Sequence, residues 1–405
     1  MRLLHGVTVL GLTMDGQMER VFEGLAGSDR ALAHALAAAV LRHLPGLDQL
    51  IDSACRNPIP EDARARQVLR VALAGRLLLD TPPHAAIATA LPLVEGGPRR
   101  LVHGVLSTLF RTGARLPSPQ LPVFWHQRLE QAHGAAEAAA AARRLAEVPP
   151  IDLSLRAPSD AALWAGRLGA TSLFDGQLRL PGSHRIEALP GFREGAWWVQ
   201  DIAASLPVRL LGEVAGLDVL DLCAAPGGKT LQLAAAGARV TALDRSGRRL
   251  RRLYENLERT GLAAEVIEAD ALHWEPGRRY DSILLDAPCS ATGTFRRHPD
   301  LLYRKEGLEL TRLVRLQQDL LARAAGWLQP GGRLVYAVCS LERAEGEEIA
   351  VPQQLVADPF QATELPTELP AAGLVVDGHR LRTLPSFLDE AGGADGFFIA
   401  RYRAT

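Results

Sequence analysis

The chain has almost no lysine. Of 45 basic residues, Lys229 and Lys305 are the only lysines and the other 43 are arginines. Codon usage in a GC-rich genome accounts for such a bias, but it makes Lys229, inside a glycine turn, stand out. Cysteine is scarce as well: Cys55, Cys223, Cys289 and Cys339. No two have the CxxC spacing of a metal or redox site, so no metal is expected. Four cysteines are too few for a disulfide framework, which points to a reducing cytosol. Long apolar runs are missing, so a membrane helix is not expected. Residues 3–13 are mildly apolar, but His5 interrupts them and no small-residue cleavage site follows, so a signal peptide is not expected either. Excess charge is also absent. The net charge is −1, so any nucleic-acid surface must be a local patch. What remains is ordinary globular composition, 47% hydrophobic and 22% charged over 405 residues, enough for two or three domains.

The chain is organised around residues 219–230, VLDLCAAPGGKT. An apolar strand pattern at 219–222 runs into a turn with Pro226, Gly227 and Gly228, and a helical pattern starts near Thr230. Glycines let backbone N–H groups approach a ligand, and a helix start supplies free donors. Alone, this reads equally well as an ordinary strand-to-helix turn. The next segment tips the balance. Residues 238–244 form a second strand ending in Asp244, where nucleotide-binding α/β folds place a carboxylate that accepts from ribose hydroxyls. The loop is neither GxGxxG nor a P-loop, which disfavours a dinucleotide or ATP. A smaller nucleoside cofactor such as S-adenosylmethionine fits better.

In chain order, residues 1–112 read as short helices (31–41, 47–55, 61–79, 84–93, 99–110) in a bundle, with Leu44-Pro45-Gly46 as a stop. Cys55 reads as a small core residue, and His84 as a capping or packing one. Residues 113–150 form a linker helix over 124–147. Residues 151–212 form a small mixed α/β subdomain, with strands at 151–156 and 177–180 and a helix at 158–168. Trp197 and Trp198 belong either to a core or to a base-stacking surface; adjacent aromatics facing opposite ways favour the core. Residues 213–405 alternate strands (219–222, 239–243, 265–268, 282–285, 333–338) with helices (229–236, 246–260, 305–328). This predicts an α/β doubly wound, mainly parallel, Rossmann-like sheet preceded by an all-α bundle. Ligands bind at the carboxyl ends of such strands. Asp221, Cys223, Asp244, Asp270, Asp286, Cys289 and Cys339 all fall there.

Several blocks carry a family resemblance: GAWWVQD (195–201), DLCAAPGGKT (221–230), RLYENLERTGL (252–262), DAPCSATGTFRRHPD (286–300), YAVCS (336–340) and DGFF (395–398). In this order they resemble the bacterial ribosomal RNA cytosine-C5 methyltransferases, the RsmB/Fmu branch of the Nop/Sun group. The helical N-terminus, with PPHAAI at 82–87, resembles the RNA-binding domain of the antitermination factor NusB. The resemblance implies methyl transfer from S-adenosylmethionine to C5 of a cytosine in small-subunit (16S) ribosomal RNA. It implies Cys339 as the nucleophile on C6, Cys289 as the helper in proton removal and release, and Asp286 at the N3/N4 edge of the base. Cys223, Ala224, Ala225, Pro226, Gly227, Gly228, Lys229, Asp244 and Asp270, with Asp286 close by, would bind the cofactor. The chemistry suits two thiols. C5 of cytosine is a poor nucleophile until a thiolate adds to C6, and that thiolate must later be eliminated.

The target base must be unstacked to reach such a pocket. Residues 239–259 hold seven arginines against three acids, and Arg296, Arg297, Arg304 and Lys305 flank the cysteine loop. A solvated helix face explains about half of these on general grounds; Arg296 and Arg297 are expected to contact phosphates. Two departures from the family stand out: Val338 replaces the usual Thr, and residues 1–25 do not clearly match the family's first helix. The alternatives are the same reaction on tRNA or large-subunit rRNA, and a non-catalytic RNA-binding assembly factor. The intact cysteines and cofactor loop argue against the last. A cytoplasmic monomer is expected.

Overall fold

The structure is a computed structural model that describes residues 1–182, 184–303 and 310–405. By contacts the chain divides into two units. The first holds residues 1–147 and, from much later in the chain, residues 295–303 of the described part. The second holds residues 148–294 and the described residues from 310 onward.

The first unit is helical: Arg2–Thr8, Met14–Val21, Gly27–Arg42, Leu44–Ser53, Arg64–Leu78, Pro83–Ala90, Gly96–Arg111, Val123–His133 and Ala135–Ala146. Val40, Leu41, Leu47, Ile51, Leu69, Leu73 and Leu106 form its buried core. The helix Gly27–Arg42 ends just before Leu44-Pro45-Gly46, as expected, and a new helix begins there at Leu44. Pro45 lies in the first turn of this new helix, where its missing N–H costs nothing. Residues 1–25 form two helices of their own. The expected single linker helix is two, broken at Gly134 with φ +90°. Residues 295–303 are tied into this unit. Asp300 accepts from the Met14 N–H at 2.9 Å, and the Tyr303 hydroxyl donates to the Leu41 carbonyl at 2.9 Å. The Trp125 indole donates to the Leu302 carbonyl at 3.0 Å.

The second unit opens with a four-stranded antiparallel sheet: β1 (Ile151–Leu155), β2 (Thr171–Phe174), β3 (Gln177–Leu180) and β4 (Trp197–Val199), in the order β2-β3-β1-β4. Trp197 and Trp198 lie on β4 and both are buried. The large sheet follows: β5 (Asp218–Leu222), β6 (Arg239–Asp244), β7 (Glu265–Glu268), β8 (Tyr280–Asp286), β9 (Leu328–Val338), β10 (Leu355–Ala357), β11 (Leu374–Asp377), β12 (Arg380–Thr383) and β13 (Phe397–Ala404). Its order is β11-β12-β13-β9-β8-β5-β6-β7, with β10 on β13. The strands from β7 to β9 pair in parallel, and β10 to β13 add antiparallel pairings that the strand–helix alternation did not announce.

Strand residues alternate between two buried faces, as the period of two requires. Leu220, Ile283, Leu285, Leu334 and Tyr336 pack with Leu320 and Leu321 of the helix Leu310–Gly326. Val219, Leu284, Val335 and Ala337 pack with the helix Ile202–Leu211 on the opposite face. Val338 is fully buried in the first of these clusters, so its side chain is a packing group. The helix expected from residue 305 is described from Leu310; Arg304 and Lys305 lie outside the described residues.

Candidate active site

The glycine turn carries out what its residue types suggest. Cys223 has φ +62°, the Ala225–Pro226 peptide is cis, and the helix Gly228–Ala235 starts directly after Gly227. Gly227 has φ +109°, and a Cβ there would lie 2.4 Å from Leu253 Cδ1, so this position has no room for a side chain. The turn is fastened to the next strand. Asp244, at the end of β6, accepts from the Ala225 N–H at 3.1 Å and from the Ser246 N–H at 2.9 Å. Each of its oxygens keeps a further lone pair. Arg249 Nη1 lies 3.7 Å from it. Asp270, after β7, is exposed and turns one oxygen onto the Leu272 N–H at 3.0 Å.

Cys223, Asp244 and Asp270 line one cleft, whose remaining wall includes Leu243, Ala271 and Pro288. Two carboxylates with oxygens able to accept from hydroxyls, beside an apolar wall, suit a nucleoside. The residues present therefore fit S-adenosylmethionine. Burial pushes the Cys223 thiol far up, so it stays a neutral lining group.

A second cluster adjoins this one. Lys229 Nζ lies 2.7 Å from Asp286 Oδ2 at the end of β8 and 5.2 Å from the ring centroid of Phe397. Burial works against the Lys229 ammonium, but Asp286 outweighs it and the pKa is raised. Below them Asp221 is wholly buried. Its Oδ2 accepts from the Thr230 hydroxyl at 2.6 Å, and its Oδ1 has no partner. Burial raises its pKa to about 7, against the Thr230 hydrogen bond.

The two cysteines meet here. Cys289, just past β8, and Cys339, just past β9, have their sulfurs 3.5 Å apart and are free thiols. The parallel β8–β9 pairing, with Asp286 beside Ala337, brings both strand ends together. The contact with Cys339 and then burial push the Cys289 thiol well up.

Not every expected residue joins the site. Arg296 is 4% exposed, and its carbonyl accepts from Arg42 Nη1 at 2.6 Å within the first unit. A guanidinium withdrawn from solvent in this way is not a surface phosphate contact, and the half-buried Arg297 beside it belongs to the same unit. One residue absent from the expectations is prominent instead. Glu345 is fully buried next to both cysteine loops and accepts hydrogen bonds from each. Its only sequence signal is an acid six residues after Cys339.

The fold and the site together define a Rossmann-like methyltransferase with a NusB-like helical unit before it. The family model for the 16S rRNA methyltransferase RsmB/F matches residues 209–403, and that of the NusB family matches residues 4–111. A ribosomal RNA small subunit methyltransferase B from Klebsiella pneumoniae is 33% identical over 428 residues, covering 98% of this chain and 95% of its own. Its namesake from Pseudomonas putida is 33% identical over 427 residues with the same coverage. The crystal structure of PH0851 shares the fold, with a TM-score of 0.73 at 20% identity over 99% of this chain and 97% of that one. The chain belongs to the RsmB/F methyltransferase family.

Proposed function

We propose that the protein methylates C5 of a cytosine in 16S ribosomal RNA through a covalent bond between Cys339 and C6. The observation that carries this reading is the 3.5 Å contact between two free thiols at neighbouring strand ends. One sulfur can attack while the other holds a proton. Similarity to relatives named ribosomal RNA small subunit methyltransferase B supports the substrate. The NusB-like unit is read as the part that docks the RNA, and the protein as cytoplasmic.

The chain's own groups then divide the work. Asp286 accepts from the cytosine N4–H₂ group, with the Lys229 ammonium as its counterion. Cys339 adds to C6 as the thiolate, which converts the ring into an enamine nucleophilic at C5. When bound, S-adenosylmethionine supplies the electrophilic methyl group that C5 takes. Once Cys339 is bonded to carbon its sulfur is neutral, which lifts one of the influences that keep Cys289 protonated. Cys289, having released its proton to solvent, then removes the C5 proton as the C6–S bond breaks and Cys339 leaves as the thiolate.

The test is directional. Cys289→Ala is expected to attack and methylate but not resolve, accumulating a protein–RNA adduct that survives denaturing electrophoresis and disappears in Cys289→Ala/Cys339→Ala. Cys339→Ala is expected to give neither adduct nor bisulfite-resistant cytosine in 16S rRNA. An adduct with Cys339→Ala alone would reverse the two roles. Full activity in both single variants would end the covalent reading.

A further inference from the structure

The β8–β9 pairing brings the two cysteine loops together, and direct hydrogen bonds join them: the Gly293 N–H donates to the Cys339 carbonyl at 3.0 Å and the Leu341 N–H to the Thr292 hydroxyl at 2.9 Å. Glu345 adds a single side chain that holds both loops. It sits in the short turn Arg343–Glu345 after β9 and is fully buried. Its Oε1 accepts from the Ser290 N–H at 2.9 Å and from Gln317 Nε2 at 2.9 Å. Its Oε2 accepts from the hydroxyls of Ser290 and Ser340, each at 2.5 Å. Ser290 directly follows Cys289, and Ser340 directly follows Cys339. One carboxylate thus grips the residue after each cysteine. Gln317, reached from the helix Leu310–Gly326, also donates to the Pro288 carbonyl at 2.9 Å, on the other side of Cys289. Thr292 closes the ring, with its hydroxyl 3.2 Å from that of Ser340.

Among the described residues, the partners of Glu345 in this ring are neutral donors. Burying a carboxylate on neutral donors is expensive compared with leaving an apolar residue there. A carboxylate in this place is useful because it is a double acceptor that can hold two loops at once. We propose that Glu345 is a positioning residue for the reaction: it brackets Ser290 and Ser340 and so holds the Cys289 and Cys339 sulfurs within reach of each other. The proposal rests on the reading of the two cysteines as a working pair.

The charge of Glu345 has a separate effect, because it adds to the forces that keep Cys289 protonated. The two effects have opposite signs in one measurement. Diamide links neighbouring thiols: a thiolate adds to the reagent, the second thiol displaces it, an S–S bond forms, and the diamide is reduced to the hydrazine. Losing the charge makes a Cys289 thiolate easier to form and speeds linking. Losing the span moves the sulfurs apart and slows it. Glu345→Gln removes the charge and keeps the span. Its amide oxygen can accept from Ser290 N–H and Gln317, and its amide N–H can donate to the two hydroxyls.

The experiment measures the rate of Cys289–Cys339 linkage by diamide in the full chain, by peptide mass spectrometry, without substrate. Glu345→Ala is expected to link at least tenfold more slowly than the wild type, and Glu345→Gln at the wild-type rate or faster. Should Glu345→Ala fail to fold, Ser340→Ala cuts one arm of the bracket and is expected to link at least threefold more slowly. Wild-type linkage in a folded Glu345→Ala, or in Ser340→Ala where that stands in for it, overturns the proposal. So does Glu345→Gln as slow as Glu345→Ala, since a side chain that keeps the span would then fail to hold the sulfurs together. Because no RNA is involved, failure of the bracket and failure of the methyl-transfer reading give separate results.

Discussion

Asp221 offers a quantitative test of the site's electrostatics. It is fully buried, one oxygen holds the Thr230 hydroxyl, and the other has no partner. Burial carries its pKa from 3.8 to about 7. The Thr230 hydrogen bond and the Lys229 cation work against the rise, and the Asp286 and Asp244 charges add to it. An unfolded aspartate ionises near about 3.9. Between about pH 4 and 7 the folded chain therefore keeps a proton that the unfolded chain has lost. Stability from this group is full at low pH, falls as pH rises through that window, and levels off above the folded pKa. About two pH units of the window lie above pH 5, which corresponds to about 2.7 kcal/mol. Asp221→Asn does not titrate, and its amide oxygen can still accept from Thr230. Relative to the wild type, the variant should gain about 2–3 kcal/mol between pH 5 and pH 8. Urea unfolding followed by tryptophan fluorescence reads this, since Trp164, Trp197, Trp198, Trp274 and Trp327 all lie in the second unit. The comparison of slopes cancels groups common to both proteins. An equal difference between variant and wild type at the two pH values would refute the reasoning.

Two more perturbations follow from the geometry. Asp244→Ala should weaken S-adenosylmethionine binding by about 1.5–3 kcal/mol, the worth of a charged hydrogen bond. It also strips the Ala225 and Ser246 N–H groups of their acceptor; calorimetry giving wild-type affinity would remove Asp244 from the site. Arg42 Nη1 donates to the carbonyls of Leu145 at 3.0 Å, Glu147 at 3.0 Å and Arg296 at 2.6 Å. Arg42→Met leaves all three without that donor and should cost about 3 kcal/mol, at 1–3 kcal/mol per orphaned group without full additivity. An unchanged thermal midpoint would show that solvent replaces the guanidinium.

The second of these bears on how the chain is divided. A cut by sequence at residue 112 or 150 leaves residues 295–303 with the catalytic part. The hydrogen bonds of Asp300, Leu302 and Tyr303 place them in the first unit. Deleting the N-terminal helices therefore also removes the partners of a segment that begins six residues after Cys289.

Local order along the chain was enough to read the parallel strands, the glycine turn and the acids and cysteines at strand ends. The period of two and the turn chemistry are written in adjacent residues, and the carboxyl end of a parallel strand has a defined place in such folds. The family blocks added roles for Cys289, Cys339 and Asp286. Contacts between distant residues were not legible in this way. Pairing of Lys229 with Asp286, the 3.5 Å approach of Cys289 to Cys339 and the Glu345 bracket each join segments dozens of residues apart or on separate loops. Burial was equally hidden. Arg296 and Arg297 are adjacent and identical in the sequence, yet packing buries Arg296 and leaves Arg297 half-exposed. Side-chain chemistry and spacing determined which groups stand at the strand ends. Which of them touch, and which keep their protons, was decided by tertiary packing, because distance and desolvation arise only once the strands are paired.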